Sequence, residues 1–134
     1  PDHMCPTHVY GVTFERGTAV SYRDRRHLFI SGTASIDATG RLLHAGDLPR
    51  QLERALENVT ALLCSAGADL GSLAMLLAYV RDARDQAPVL QQLRARCGQV
   101  PIEVVVAPIC RPAWLVELEG IAITPAARPD LPAF

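Results

Sequence analysis

Residues 102–123 read IEVVVAPICRPAWLVELEGIAI, two apolar runs joined through a tight Cys110-Arg111-Pro112 corner. The second run limits the fold most, because it carries Glu117 and Glu119 inside otherwise hydrophobic sequence. With the period of two that a strand imposes, Leu115, Glu117, Glu119, Ile121 and Ile123 share one face. Val116, Leu118, Gly120 and Ala122 share the other. The small apolar face suits packing beneath helices, and Gly120 permits close approach there. The opposite face sets two carboxyls among Leu and Ile. A carboxylate taken out of water is costly unless it is paired or protonated. Such a strand needs helices on one side and a compensating environment on the other.

The remaining sequence supplies those helices. Residues 8–14 (HVYGVTF) predict a first strand, and 18–22 resume the extended pattern after Glu15-Arg16-Gly17. Residues 27–36 (HLFISGTASI) predict a strong strand, Asp37-Ala38-Thr39-Gly40 a hairpin turn, and 41–44 a short return strand. Asp47 is placed to cap a helix with Pro49 in its first turn. Leu52, Leu56, Val59, Leu62 and Leu63 follow at helical spacing until Ser65-Ala66-Gly67 stops it. Residues 73–80 (LAMLLAYV) predict a strand buried on both faces. Residues 85–97 predict a second amphipathic helix with Val89, Leu90 and Leu93 inward, closed by Gly98. Residues 1–7 and the Pro-rich 125–134 read as tails.

The order is therefore β-β-(β)-α-β-α-β-β in one α+β domain over 1–134, a mixed sheet with two helices on one face. Two helices cover one side only, yet Val104, Val105 and Val106 are apolar on both faces. The uncovered face is expected to be buried by further copies of the chain, a homo-oligomer.

Composition narrows the function. The chain has 134 residues and a net charge of -1, with no basic footprint for nucleic acid and no polybasic membrane patch. All 13 basic residues are Arg, so Lys Schiff-base chemistry and a P-loop lysine are ruled out within this chain. Cys5, Cys64, Cys97 and Cys110 are widely spaced without CxxC, so neither zinc nor a disulfide framework is expected. They read as reduced thiols of a cytoplasmic protein. No apolar run approaches the ~18 residues of a membrane span, and no metal or cofactor is expected.

SGTASID, then the helix, then LAYVRD and LVELEGIAI give the chain its likeness: it resembles the Rid family (YjgF-type, historically labelled endoribonuclease L-PSP). The resemblance runs from Val20 to Ile123 in order and spacing. It implies a chorismate-mutase-like fold and a homotrimer with three clefts between subunits. THVYGVTFERG, HLFISGTASID and CRPAWLVELEG are further similar to the C-terminal catalytic half of chorismatases, which cleave the enolpyruvyl ether of chorismate to release pyruvate. Deaminase members of the family hold the substrate carboxylate with an Arg after the Pro that opens the penultimate strand. Here that stretch is Pro101-Ile102-Glu103, which disfavours imine hydrolysis in the usual way. Their N-terminal tyrosine is missing too, with Arg16 nearest its place, while the glutamate of their last strand matches Glu117.

The candidate site follows. From spacing alone Glu117 reads as one half of an ion pair with Arg111 or Arg81 across an interface; the resemblance favours a catalytic acid. A carboxyl in a partly closed apolar cleft is protonated near neutrality, and protonating the methylene carbon of an enol ether needs such an acid. Glu119 reads as a paired or rim carboxylate. Arg111 and Arg16 each read either as a bidentate clamp for a substrate carboxylate or as a surface or neutralising charge. Cys110, seven positions before Glu117, matches where chorismatases vary the residue that steers product outcome, and otherwise reads as a small buried hydrophobe. Gly32 and Thr33 are placed to line the cleft, though a lone strand Gly also marks a bulge. Tyr79 reads as cleft lining or packing. The expected partners are a small carboxylate-bearing metabolite and further copies of the chain. The rival functions are a deaminase-like enzyme and a non-catalytic trimer that binds a metabolite or partner.

Overall fold

The computed structural model describes residues 15–132; the strand expected over 8–14 and Cys5 lie outside the described residues. Five strands and two helices follow one another: β1 (Gly17–Ser21), β2 (Arg25–Thr33), α1 (Leu48–Ser65), β3 (Leu73–Val80), α2 (Gln86–Cys97), β4 (Ile102–Val106) and β5 (Val116–Pro125). The sheet order is β1-β2-β5-β3-β4. Neighbours run antiparallel except β3 and β4, which are joined by α2 as a parallel crossover. The last strand in sequence is thus central in space.

Local chemistry starts and stops the helices as the sequence predicts. The Asp47 carboxylate accepts from the Arg50 backbone N–H at 3.0 Å, and Pro49 lies in the first turn of α1. Gly98 closes α2 with φ +61, in the left-handed region that glycine enters without a Cβ clash. Val59, Leu52 and Leu56 of α1 and Val89 and Leu93 of α2 form one core with Leu28, Leu76, Ala78, Val116, Leu118 and Ala122 of the sheet. Both helices therefore cover the same sheet face. Leu90, expected inward, is only half-buried.

Three expectations need correction. The return strand over 41–44 is reduced to a single bridge between Ile36 and Leu42. The Ser35 hydroxyl takes Leu43 O, at 2.9 Å, the carbonyl that a longer ladder would pair with the Ser35 N–H. Ala34 O and Ile36 O face α1 instead and accept from Asn58 Nδ2, at 3.0 and 3.1 Å. Arg54 Nε also donates to Ile36 O, at 3.2 Å. Second, β3 is not buried on both faces in the single chain. Leu73, Leu76, Ala78 and Val80 are buried, whereas Met75 is exposed and Leu77 and Tyr79 are half-buried. Third, β5 runs on to Pro125, and the segment expected as a tail is tied back. Ala126 N–H donates to Asp24 O at 2.9 Å and Arg128 N–H to Arg23 O at 2.8 Å.

The uncovered face is apolar and open. Phe29 (40%), Met75 (39%) and Ile123 (40%) lie on it with high exposure. The register aligns them in rows across the sheet: His27 with Ile123, and Phe29 with Ile121 and Met75.

Candidate functional site

The open face holds the two glutamates. Along β5, Val116, Leu118, Gly120 and Ala122 are buried while Glu117, Glu119 and Ile121 are half-buried, the alternation predicted from sequence. Beside them β2 is irregular. Ile30 pairs with Gly120 and Thr33 with Leu118, so β2 spends one residue more than β5 between these pairs, a β-bulge. Thr33 is fully buried and its hydroxyl donates to Ser31 O at 2.8 Å, which places it beneath the bulge on the helix side. Gly32 occupies the bulge itself. A Cβ built there would overlap Oε1 of Glu117, so the Glu117 carboxyl fills the volume that any other residue would take. Both readings of Gly32, bulge and site lining, therefore apply together.

On the opposite side stands β3, where Tyr79 pairs with Glu117 and Leu77 with Glu119. The Tyr79 hydroxyl reaches diagonally and donates to Glu119 Oε1 at 2.8 Å. Burial, this hydrogen bond and the charges of both glutamates push the Tyr79 hydroxyl up to about 12, so it stays a donor throughout the neutral range. The Glu117 carboxyl is pushed above its ordinary 4.5, first by burial and then by the like charge of Glu119, with Arg16 pulling the other way.

Arg16 is brought in from almost the far end of the chain. Ser31 holds it there: the Ser31 N–H donates to Arg16 O at 3.1 Å and its hydroxyl to Glu15 O at 2.6 Å. The cation whose charge reaches Glu117 is thus Arg16. Arg111, six positions from Glu117 in sequence, stands over the Trp114 ring at 5.6 Å on an exposed loop. Cys110 is exposed on the same loop, so it is not the small buried hydrophobe that was one of its two readings.

That loop, 107–115, is fixed by two residues. Arg81 donates to Trp114 O at 2.8 Å, Arg111 O at 2.9 Å and Ile109 O at 2.5 Å, so within the chain it serves backbone carbonyls. Gln51, fully buried on α1, donates to His44 O and Ala113 O and accepts from the Leu115 N–H at 2.9 Å. Gln51 and Asn58 were not anticipated. The signal was present: two uncharged amides interrupt the inner stripe of an otherwise apolar helix, where a polar group must find buried partners. Among the described residues no three His, Cys, Asp or Glu side chains gather as a metal site. No helix there is long and apolar enough to cross a membrane.

Comparison with known proteins follows this geometry. The family model described as Endoribonuclease L-PSP matches residues 18–124. A 3-hydroxybenzoate synthase of Streptomyces hygroscopicus is 33% identical over 106 residues, covering 72% of this chain and 31% of the synthase. A crystal structure of a chorismatase is 30% identical with a TM-score of 0.74, covering 82% of this chain and 36% of that one. The chain thus spans about a third of the length of these two relatives. A RutC family protein of Pyrococcus abyssi is 31% identical over 97 residues, 71% of this chain and 76% of that protein. The mixed α+β sheet with two helices matches the chorismate-mutase-like fold that the sequence resemblance implied.

Proposed function

From the premise that this chain belongs to the endoribonuclease L-PSP (Rid, YjgF-type) family, we propose that it hydrolyses a carboxylate-bearing enol ether with Glu117 as general acid. One observation carries the reading: the Glu117 carboxyl sits in the gap left by Gly32, half removed from water and with its affinity for a proton raised. Glu117 delivers that proton to the methylene carbon of the enol ether. The carbon bearing the ether oxygen becomes oxocarbenium-like, and water adds to it. The carboxylate left on Glu117 takes a proton from that water, and the hemiketal collapses to a keto acid and an alcohol. Arg16, across the bulge, is the clamp for the substrate carboxylate, with Arg111 and Cys110 on the rim. A hollow lined by Phe29, Met75, Glu119 and Ile121 adjoins the carboxyls.

The cleft is completed by further copies of the chain, arranged as a homotrimer. Phe29, Met75, Ile123 and Val105 support this, since a large apolar face of this kind marks a surface meant for contact.

A second reading, a trimer that binds a metabolite or a partner without turning it over, is favoured by the absence of the deaminase Arg from Pro101-Ile102-Glu103. Glu103, exposed at the start of β4, puts a negative charge in that neighbourhood. Incubation with chorismate and assay for pyruvate separates the two. Pyruvate release that disappears in Glu117→Gln, with the assembly intact on size exclusion, supports the enzyme. Saturable ligand binding with no pyruvate at high protein concentration supports the binder.

A further inference from the structure

Two glutamates lie two residues apart on one sheet face, and the resemblance that favours Glu117 as the acid gives no physical reason why it rather than Glu119 should hold a proton. Side by side, such carboxyls titrate as a pair whose protons belong to neither. The structure breaks that symmetry. Glu117 lies in the Gly32 gap, whereas Glu119 accepts a hydrogen bond from Tyr79 at 2.8 Å. A hydroxyl that donates to a carboxyl oxygen favours the form that can only accept.

We propose that Tyr79 and Glu119 form a positioning pair: Tyr79 fixes Glu119 as the negative neighbour, and Glu117 is thereby the carboxyl that holds the transferable proton. The register supports the assignment. Tyr79 is directly opposite Glu117, so its ring walls one flank of that carboxyl while its hydroxyl passes on to Glu119. Diagonal neighbours across antiparallel strands are within reach of an aromatic side chain. The other groups around the pair do not supply the same asymmetry. From the segment before β1 comes Arg16, which opposes proton retention by Glu117. From β2 come the uncharged Ser31 and Gly32. From β4 comes Glu103, one strand further out opposite Leu77. The loop 107–115 contributes Arg111, seated over Trp114. Tyr79 therefore acts through Glu119 and is a positioning residue.

The inference rests on the reading of Glu117 as the acid, but its test needs no turnover. Carboxyl carbon-13 NMR on the full chain, labelled at Glu, follows each titration from pH 3 to 9 in the original protein, Glu119→Gln and Tyr79→Phe. Glu119→Gln is expected to lower the Glu117 midpoint by about one pH unit. Tyr79→Phe keeps the ring, and is expected to turn two separate curves into coupled, two-step curves at both carboxyls. A Glu117 midpoint unmoved in Glu119→Gln, or two curves that stay independent in Tyr79→Phe, overturns the proposal. Should either variant fail to fold by circular dichroism, the other decides alone. Absence of pyruvate from chorismate would refute the enol-ether reading while leaving these titrations to stand or fall separately.

Discussion

On one face of β5, Val116, Leu118 and Ala122 are fully buried beneath the helices. On the other, Glu117 and Glu119 are half-buried between Gly32 and Tyr79. A glycine serves each face for a different reason. A Cβ at Gly120 would meet Met75 O at 3.0 Å, the backbone of the adjoining strand, whereas a Cβ at Gly32 would meet the Glu117 side chain. The helix-covered face is finished within the chain and holds the fold together. The open face keeps polar groups under strain of desolvation, which a packed core would have excluded. Stability and chemistry are therefore separable along a single strand, and substitutions on alternate residues should dissociate them.

The largest effect is expected on the covered face. Leu118→Ala should cost about 2–5 kcal/mol through lost burial and a residual cavity, read as a shift in urea midpoint, while the Glu117 titration stays where it was. An equal loss from Ile121→Ala would erase the distinction. Next comes Gly32→Ala, where displacing the carboxyl by about an ångström should lower enol-ether turnover by about 100-fold. Its melting temperature should move less than that of Leu118→Ala. Gly120→Ala should do the reverse, overpacking against Met75 O and costing about 1–3 kcal/mol with the midpoint of Glu117 unchanged. The smallest effect is a slope. Because the folded state binds the Glu117 proton more tightly than the unfolded chain, its contribution to stability is full below the ordinary 4.5 and is lost as pH rises through the raised value. Urea midpoints measured across pH should show that decline, and Glu117→Gln should flatten it.

Much of this was legible in the chain. The alternation through 115–123 assigned β5 residues 116–123 to their faces, and Asp47, Pro49 and Gly98 marked helix ends because capping is local chemistry. What failed to show was non-local. Ser31-Gly32-Thr33 suits a regular strand and a bulge equally, and only pairing with β5 decides between them. The short return strand stops at one bridge because the Ser35 hydroxyl takes the Leu43 carbonyl, a pairing that neither stretch shows by itself. Proximity in sequence pointed to Arg111, whereas folding carries Arg16 to Glu117 through a tether at Ser31. Glu119 read as a paired carboxylate, but its partner Tyr79 is reached by a diagonal contact that no spacing encodes.

Gln51 has one more consequence. With Arg81 it staples the connection bearing Cys110 and Arg111 at Ile109, Arg111, Ala113, Trp114 and Leu115. That loop is thus held in one outline by the chain itself, through contacts that begin on α1 and β3. Exchanging the exposed Cys110 should leave the loop's path unchanged, because the chassis beneath that side chain has no need to move.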